Sequence, residues 1–272
     1  MSSQQADVTQ AADVTEVADV TAVTATTRYY EAVVEHLTTL HNESMSAVRE
    51  AAKLVADQIM ADRLVYVYGP GGHSNLAAQE IFSRAGGLMH VSAILDLGTM
   101  LSSGGQYSKH IERLPGYGRI VINEYGVGEG DLLILVNAYG INSALIDAAL
   151  RAKELGATTI GVSSVRHASE TAPDHPARHP SKLNLHDIVD VSVDSKVPIG
   201  DAILRIDGVD ELTGPISTFA NAFLLNSIVV EALSILAARG VEVPVFRSGN
   251  APGGDEANAR FRARFRGRIK HL

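Results

Sequence analysis

LVYVYGPGGHSNLAAQEIFSRAGG, residues 64–87, is the stretch from which the rest of the chain is read. Val65, Tyr66, Val67 and Tyr68 form the β-branched and aromatic run of a strand buried on both faces. Gly69, Gly71 and Gly72 follow, letting the backbone turn sharply and approach a ligand without Cβ clashes. Ser74 and Asn75 stand where a helix begins, so their side chains serve as caps while free backbone N–H groups face outward. A turn of this shape attracts anions through those N–H groups and the positive end of the helix dipole, although strand-to-helix turns of this kind also occur with no ligand. No Lys follows the glycines, so this is not a G-x-x-x-x-G-K-[ST] nucleotide loop, nor does it match the G-x-G-x-x-G dinucleotide loop.

Working outward, residues 89–95 (MHVSAIL) read as a second strand, 107–117 as helical or irregular, and 119–123 as a short extended piece. Residues 131–136 (DLLILV) are the clearest strand, followed by a second polar turn at 137–143 and a helix over 144–155 that Gly156 ends. Residues 158–162 (TTIGV) and 188–193 give two more strands, separated by Pro- and His-rich sequence at 166–187. Strands alternating with helices imply a parallel sheet with right-handed crossovers and helices on both faces. In such sheets ligands sit beyond the carboxyl ends of the strands, where both Gly-containing turns fall.

Upstream, Tyr30, Val33, Val34, Leu37, Leu40, Met45, Val48, Ala52, Val55 and Ile59 follow helical spacing, with a break expected near His41-Asn42. That amphipathic helix either covers its own sheet or makes a dimer contact. Residues 1–27 carry a near-repeat, Ala6-Asp7-Val8-Thr9, Ala12-Asp13-Val14-Thr15 and Ala18-Asp19-Val20-Thr21, too short and too poor in large apolar residues to fold alone; they read as a disordered tail before a single domain at 28–272. Downstream, 219–238 (FANAFLLNSIVVEALSILAA) is apolar around its whole circumference and reads as a buried helix stopped by Gly240. Phe261, Phe265 and Ile269 recur four apart among Arg260, Arg262, Arg264, Arg266 and Arg268, which favours a short helix docked on the body over an RNA-binding tail.

The 272 residues and 46% hydrophobic content suffice for a large core. There is no Cys, which excludes disulfides, thiolate nucleophiles and Cys-ligated zinc, and a net charge of −8 disfavours general nucleic-acid affinity. No apolar run approaches the roughly 20 residues of a membrane span, and no secretion signal opens the chain, so a cytoplasmic protein acting on a small molecule is expected. His167, His175, His179 and His186 are too irregularly spaced for a metal site. Neither metal nor cofactor is expected.

Two strand–turn–helix units some 60 residues apart resemble the SIS (sugar isomerase) fold of phosphosugar isomerases and phosphosugar-sensing proteins. Within it the chain is most similar to a bacterial group related to phosphoheptose isomerase. The residues carrying that closer match are Gly72-His73-Ser74, Glu80-Ile81-Phe82-Ser83-Arg84-Ala85-Gly86-Gly87, Arg178-His179-Pro180-Ser181, Gly200-Asp201-Ala202, Gly214-Pro215-Ile216-Ser217-Thr218 and Pro244-Val245-Phe246-Arg247-Ser248-Gly249-Asn250. The resemblance implies a flavodoxin-like three-layer α/β fold with a five-stranded parallel sheet. It also implies a homodimer or homotetramer, and a sugar or sugar phosphate held at the two turns by Gly71, Gly72, Ser74, Asn75, Arg84, Asn137, Tyr139, Gly140, Asn142, Ser143 and Arg178.

In phosphoheptose isomerase a Glu on the helix after the first turn is the acid/base, and the resemblance puts Glu80, with Arg84 four residues on, at that position. Aldose–ketose interconversion through an enediol needs a carboxylate to move the proton between two carbons, with a second group for the hydroxyl proton. The plain alternative for Glu80 is an ion pair with Arg84 one helical turn on. The chain departs from the family twice. The second turn, usually Ser-x-Ser-Gly-x-[Ser/Asn], is Asn137-Ala138-Tyr139-Gly140-Ile141-Asn142, and the long C-terminal helix has Asn226 or Ser227 where the family supplies a His. His73 in the first turn, then His179 on a loop, are the candidate replacements. The expected function is therefore a sugar or sugar-phosphate isomerase. The alternatives are a non-catalytic sugar-phosphate sensor or scaffold, or an etherase or lyase on an amino-sugar acid using the same carboxylate.

Overall fold

A computed structural model of the protein describes residues 23–272, and the six-residue repeat before them lies outside the described residues. Two helices come first, α1 (Ala25–Glu43) and α2 (Met45–Met60). Thr24 caps α1 by accepting from Thr27 N at 3.1 Å, so helix begins three residues before Arg28. The break between the helices falls at Ser44, whose Oγ donates to Asp194 O at 2.8 Å and ties the corner to the sheet. There follow β1 (Val65–Tyr68), α3 (Ser74–Glu80), β2 (Val91–Ile94), α4 (Gly105–Glu112), α5 (Tyr117–Tyr125), β3 (Leu132–Val136), α6 (Ser143–Glu154), β4 (Thr158–Ser163), α7 (Val165–Glu170), α8 (Leu185–Ile188) and β5 (Val191–Asp194). A hairpin of β6 (Ala202–Leu204) and β7 (Thr213–Pro215), then α9 (Ser217–Ala238) and α10 (Gly254–Phe265), complete it.

The five long strands make one parallel sheet in the order β2-β1-β3-β4-β5, the flavodoxin-like order with its switch point between β1 and β3. Every residue of β3 is buried. Alternate side chains divide between two layers: Val65, Val67, Leu132, Ile134 and Val136 pack with α2 and α9, whereas Tyr68, Leu133 and Leu135 pack with α5, α6 and α8. A strand buried on both faces gains burial from every residue, about 1.5–3 kcal/mol for each large aliphatic one.

Three expectations are corrected. Residues 119–123 are not extended: α5 spans them between Gly116 and Gly126, both left-handed, with Val121 and Ile122 buried against α6. The strand expected at 188–193 starts at Val191, because Asn184 and Asp187 form a capping box that opens the single turn of α8. Finally, α9 is 22 residues long and apolar enough, by length and composition, to cross a membrane. In this fold Ala220, Leu224, Leu225, Ile228 and Ala232 are fully buried in the core that α9 forms with α2 and the sheet, the position of a core helix. The hairpin β6–β7 had no signal strong enough to be expected.

The C-terminal stripe docks on the body. Phe265 and Ile269 are buried with Leu64, Met89 and Phe246, and Phe261 packs beside them. Arg264 (2.6 Å) and Arg268 (3.2 Å) both pair with Asp62, and Arg260 pairs with Glu242. The 244–246 segment adds backbone bonds to 86–89, with Gly86 N donating to Phe246 O at 2.8 Å and Met89 N to Pro244 O at 3.0 Å. Those bonds account for two of the family-like motifs as packing devices. Phe265→Ala should lower stability by about 3–5 kcal/mol, read as the midpoint of chemical unfolding. A loss below about 1 kcal/mol would mean that the strap adds little to the global fold.

Candidate functional site

Beyond the carboxyl ends of β1 and β3 lies a cavity of about 210 Å³. Its walls are the first turn (Gly71, Gly72, His73, Ser74), the second turn (Asn137, Ala138, Tyr139, Asn142), α4 (Ser108, Lys109, Glu112) and the entry to α9 (Asp201, Ser217, Asn221).

Asn137 holds the two turns together. Its Nδ2 donates to Pro70 O (3.0 Å) and Ser74 Oγ (3.2 Å), and its Oδ1 accepts from Tyr139 N (2.9 Å) and Gly140 N (3.1 Å). Asn75 does similar work one residue after Ser74, donating to Gly71 O (3.0 Å) and Thr99 O (3.1 Å). Ser108 Oγ also reaches Thr99 O at 2.7 Å, which draws α4 over the first turn. Gly71 sits at φ +115°, a backbone conformation that L side chains rarely adopt, and the Glu112 carboxylate lies over the place its Cβ would take. Asp201 caps α9, its Oδ1 accepting from Ile216 N (3.1 Å) and Ser217 N (2.7 Å) and its Oδ2 from Ser217 Oγ (2.7 Å).

The titratable group that this construction places in the cavity wall is Glu112. Its Oε1 accepts from Asn142 Nδ2 at 2.8 Å. Burial pushes its pKa from the ordinary 4.5 up to about 7, outweighing the opposite pull of Arg113, the Asn142 hydrogen bond and Lys109. A carboxyl poised there takes up and releases protons near neutral pH. Asn142 and Asn221 line the same cavity, and their Oδ1 atoms are buried acceptors with no partner among the described residues, a pairing suited to ligand hydroxyls.

The shift has a consequence for stability. The folded-state value lies above the unfolded one, so the contribution of Glu112 is fully present below about pH 4.5 and lost as pH rises through about 7. The thermal midpoint should therefore fall across that window relative to Glu112→Gln; superimposable pH profiles would contradict the shift.

Of the residues singled out from sequence, Gly71, Gly72, His73, Ser74, Asn137, Tyr139 and Asn142 line this cavity. The others do not. Glu80 is the last residue of α3, so the helix expected to carry Arg84 stops short of it; the two still pair at 3.0 Å. Glu80 lies 3.4 Å from Asn226 Nδ2, facing a separate hollow with Leu76, Thr218 and Ala222. Arg178 bonds to the carbonyls of Ala168, Thr171 and Lys182 and to Asn184 Oδ1, fastening its own loop. His179 lies 3.2 Å from Asp147 Oδ1 and 2.7 Å from Ser181 Oγ, away from the cavity. Asn75 is a buried tie, Gly140 a left-handed turn residue against Ser163, and Ser143 the buried first residue of α6. Of the four loop histidines, His167, stacked on Tyr139, shares a cavity wall with His175, while His179 lies beside Asp147 and His186 beside Asp187.

Glu112, Lys109, Asp201 and Asn221 were not singled out for the site. Asp201 stands inside the Gly200-Asp201-Ala202 motif, which was a signal. Glu112 is the last residue of α4, an undistinguished polar helix in which nothing local marks it.

A family model for the SIS domain matches residues 28–164. A UPF0309 protein of Brucella anthropi is 36% identical over 247 residues, covering 91% of this chain and 98% of the relative. The chain belongs to the SIS domain family. Another UPF0309 protein, from Brucella suis biovar 1, gives the same identity and coverage, so this SIS protein shares nearly the whole length of that group. Among solved structures, a phosphoheptose isomerase from Neisseria gonorrhoeae aligns with a TM-score of 0.51 at 15% identity, over 77% of the SIS protein and 97% of that chain. At that identity the likeness is one of fold.

Proposed function

We propose that the cavity between the two turns binds the carbonyl end of a sugar or sugar phosphate, and that the protein interconverts aldose and ketose through an enediol. The observation that carries this is Glu112, a carboxyl with its pKa raised to about 7 in the wall shared by both turns. As carboxylate it removes the proton from the carbon next to the carbonyl; as acid it returns that proton to the neighbouring carbon. His73, exposed in the first turn, and Lys109 stand in the same wall to move the hydroxyl proton. The buried amide oxygens of Asn142 and Asn221 accept from sugar hydroxyls. The volume of about 210 Å³ fits a small polar substrate. Family membership supports the same substrate class.

Self-association belongs to the same reading. Phe219 and Val230 on α9, with Tyr30 and Val34 on α1, leave large apolar side chains at the surface, a feature that a second copy of the chain would cover.

The test is incubation with aldose and ketose sugars and their phosphates in deuterated water, followed by NMR of the carbon next to the carbonyl. Exchange with at least one of them supports isomerisation. Binding by thermal shift with no exchange anywhere would replace it by the sensing role.

A further inference from the structure

His90, just before β2, has none of its surface exposed. Its carbonyl accepts from Val65 N at 2.9 Å, which fixes the backbone to β1. Both ring nitrogens are buried without a hydrogen-bond partner, an arrangement that costs free energy and that the chemistry at Glu112 does not use. What the ring meets instead is Phe265, in a T-shaped contact with centroids 4.8 Å apart. Phe265 ends α10, so the C-terminal strap, residues 244–272, is the lid over this histidine.

The charges around the ring oppose a proton on it. Asp62, in the link between α2 and β1, lies 3.8 Å from Nε2, too far for a hydrogen bond. That carboxylate is already held by Arg264 at 2.6 Å and Arg268 at 3.2 Å, and Arg268 also donates to Asp62 O at 2.5 Å. From β1, Tyr66 packs into the same cluster, and burial raises its pKa, which keeps it uncharged. Pro244, Val245 and Phe246 bring no charge. A proton on His90 would therefore add a third cation to two guanidiniums that share one carboxylate, at a ring with no acceptor beside it. Burial first, then Arg264, hold its pKa down from 6.5 to about 4, with Arg268 adding to the effect and Asp62 opposing it.

We infer that His90 is the latch of an acid-sensitive strap: protonation of its ring releases the C-terminal segment from Leu64, Met89 and the 86–89 link. The docked histidine binds its proton more weakly than a solvated one does. Docking is therefore at full strength above about pH 6.5 and weakens as pH falls toward 4. Between pH 7.5 and 5 the open fraction rises about 10–30-fold. Opening breaks the backbone bonds of 244–246 to 86–89 and uncovers the apolar ledge of Leu64 and Met89. His271, at the end of the strap, titrates with the same sign, burial lowering its pKa beside Lys270, but it is exposed and bonded to Tyr125 Oη at 2.8 Å. Solvent screens its contribution.

The test is amide hydrogen exchange on the full-length protein at pH 7.5, 6 and 5, corrected for the intrinsic pH dependence of exchange. It reads the amides of Gly86, Met89 and Phe246, which bond across the strap. In wild type their protection should fall about 10–30-fold from pH 7.5 to 5 while staying below that of the β3 amides, the mark of an opening confined to the strap. His90→Phe, which keeps an uncharged ring against Phe265, and His90→Gln should each lose most of that fall. The latch is overturned if wild type shows no fall, if strap and β3 amides are equally protected at every pH, or if the fall persists in either folded variant, which would move it to His271. Should neither variant fold, NMR titration of the wild-type ring decides. With the strap amides protected, a His90 ring still neutral at pH 5.5 supports the latch, and one protonated there overturns it.

Discussion

Glu112→Gln should lower the rate of solvent deuterium exchange into substrate by about 10²–10⁴-fold, the range attributable to a positioned acid/base group. The substitution preserves the shape and the oxygen that accepts from Asn142 Nδ2. What it removes is the ability to take a proton. Loss of exchange with sugar binding retained therefore isolates the chemical role. In wild type the exchange rate should rise with pH as the carboxyl loses its proton, with an inflection near 7. Glu80→Gln is the contrasting variant. It breaks a half-exposed pair with Arg84 outside the cavity, so exchange should stay within about twofold of wild type and stability within a few tenths of a kcal/mol. A large loss in Glu80→Gln together with full activity in Glu112→Gln would reverse the assignment.

Gly118→Ala should destabilise the protein, although helix propensity alone predicts a gain of about 1 kcal/mol from replacing a helical glycine. Gly118 lies in α5 where it crosses the first turn of α6, and a Cβ there would land on the Ala144 carbonyl oxygen. That neighbour is backbone, so the clash is relieved only by separating the helices. Overpacking of this kind costs about 1–3 kcal/mol, more than the propensity gain over most of its range. The effect should also reach the site. Asn142 precedes α6 and holds Glu112, while Asp147 on α6 accepts from Gly116 N at 2.5 Å, just before α5. Spreading α5 from α6 therefore shifts the carboxyl relative to the two turns. The midpoint of chemical unfolding gives the sign; a variant more stable than wild type would mean that the crossing is looser than described.

The sheet was legible because buried parallel strands are written as uninterrupted apolar runs. Val65 to Tyr68 and Leu132 to Val136 needed no tertiary information, and neither did the turns that follow them. The stripe of Phe261, Phe265 and Ile269 was legible for the same reason, being a periodicity with one period to find. The helix α5 was hidden by its own composition. Ile120, Val121 and Ile122 are β-branched and consecutive, and Ile120 is 59% exposed, so no clean apolar face marks the helical period. Only packing against α6, with Gly118 at the crossing, decides it.

For the site, the glycine turns and their polar followers were local signals, and seven of the residues read from them line one cavity. The proposed acid/base is not local. Glu80 was chosen for its place after the first turn, but α3 ends there and turns the side chain toward Asn226 and Arg84. Glu112 is separated from both turns along the chain and meets them only because Ser108 and Thr99 draw α4 across the sheet's edge. Its raised pKa is a property of that burial and has no signature in sequence.

The most direct measurement is the titration of the Glu112 carboxyl itself, by 13C NMR of protein labelled at the glutamate side chains, with Glu112→Gln identifying the signal. A midpoint near pH 7 that moves when a sugar substrate is added is the expected result. A midpoint near the ordinary 4.5, unmoved by any sugar that the protein binds, would contradict the assignment of Glu112 as its proton-transfer group.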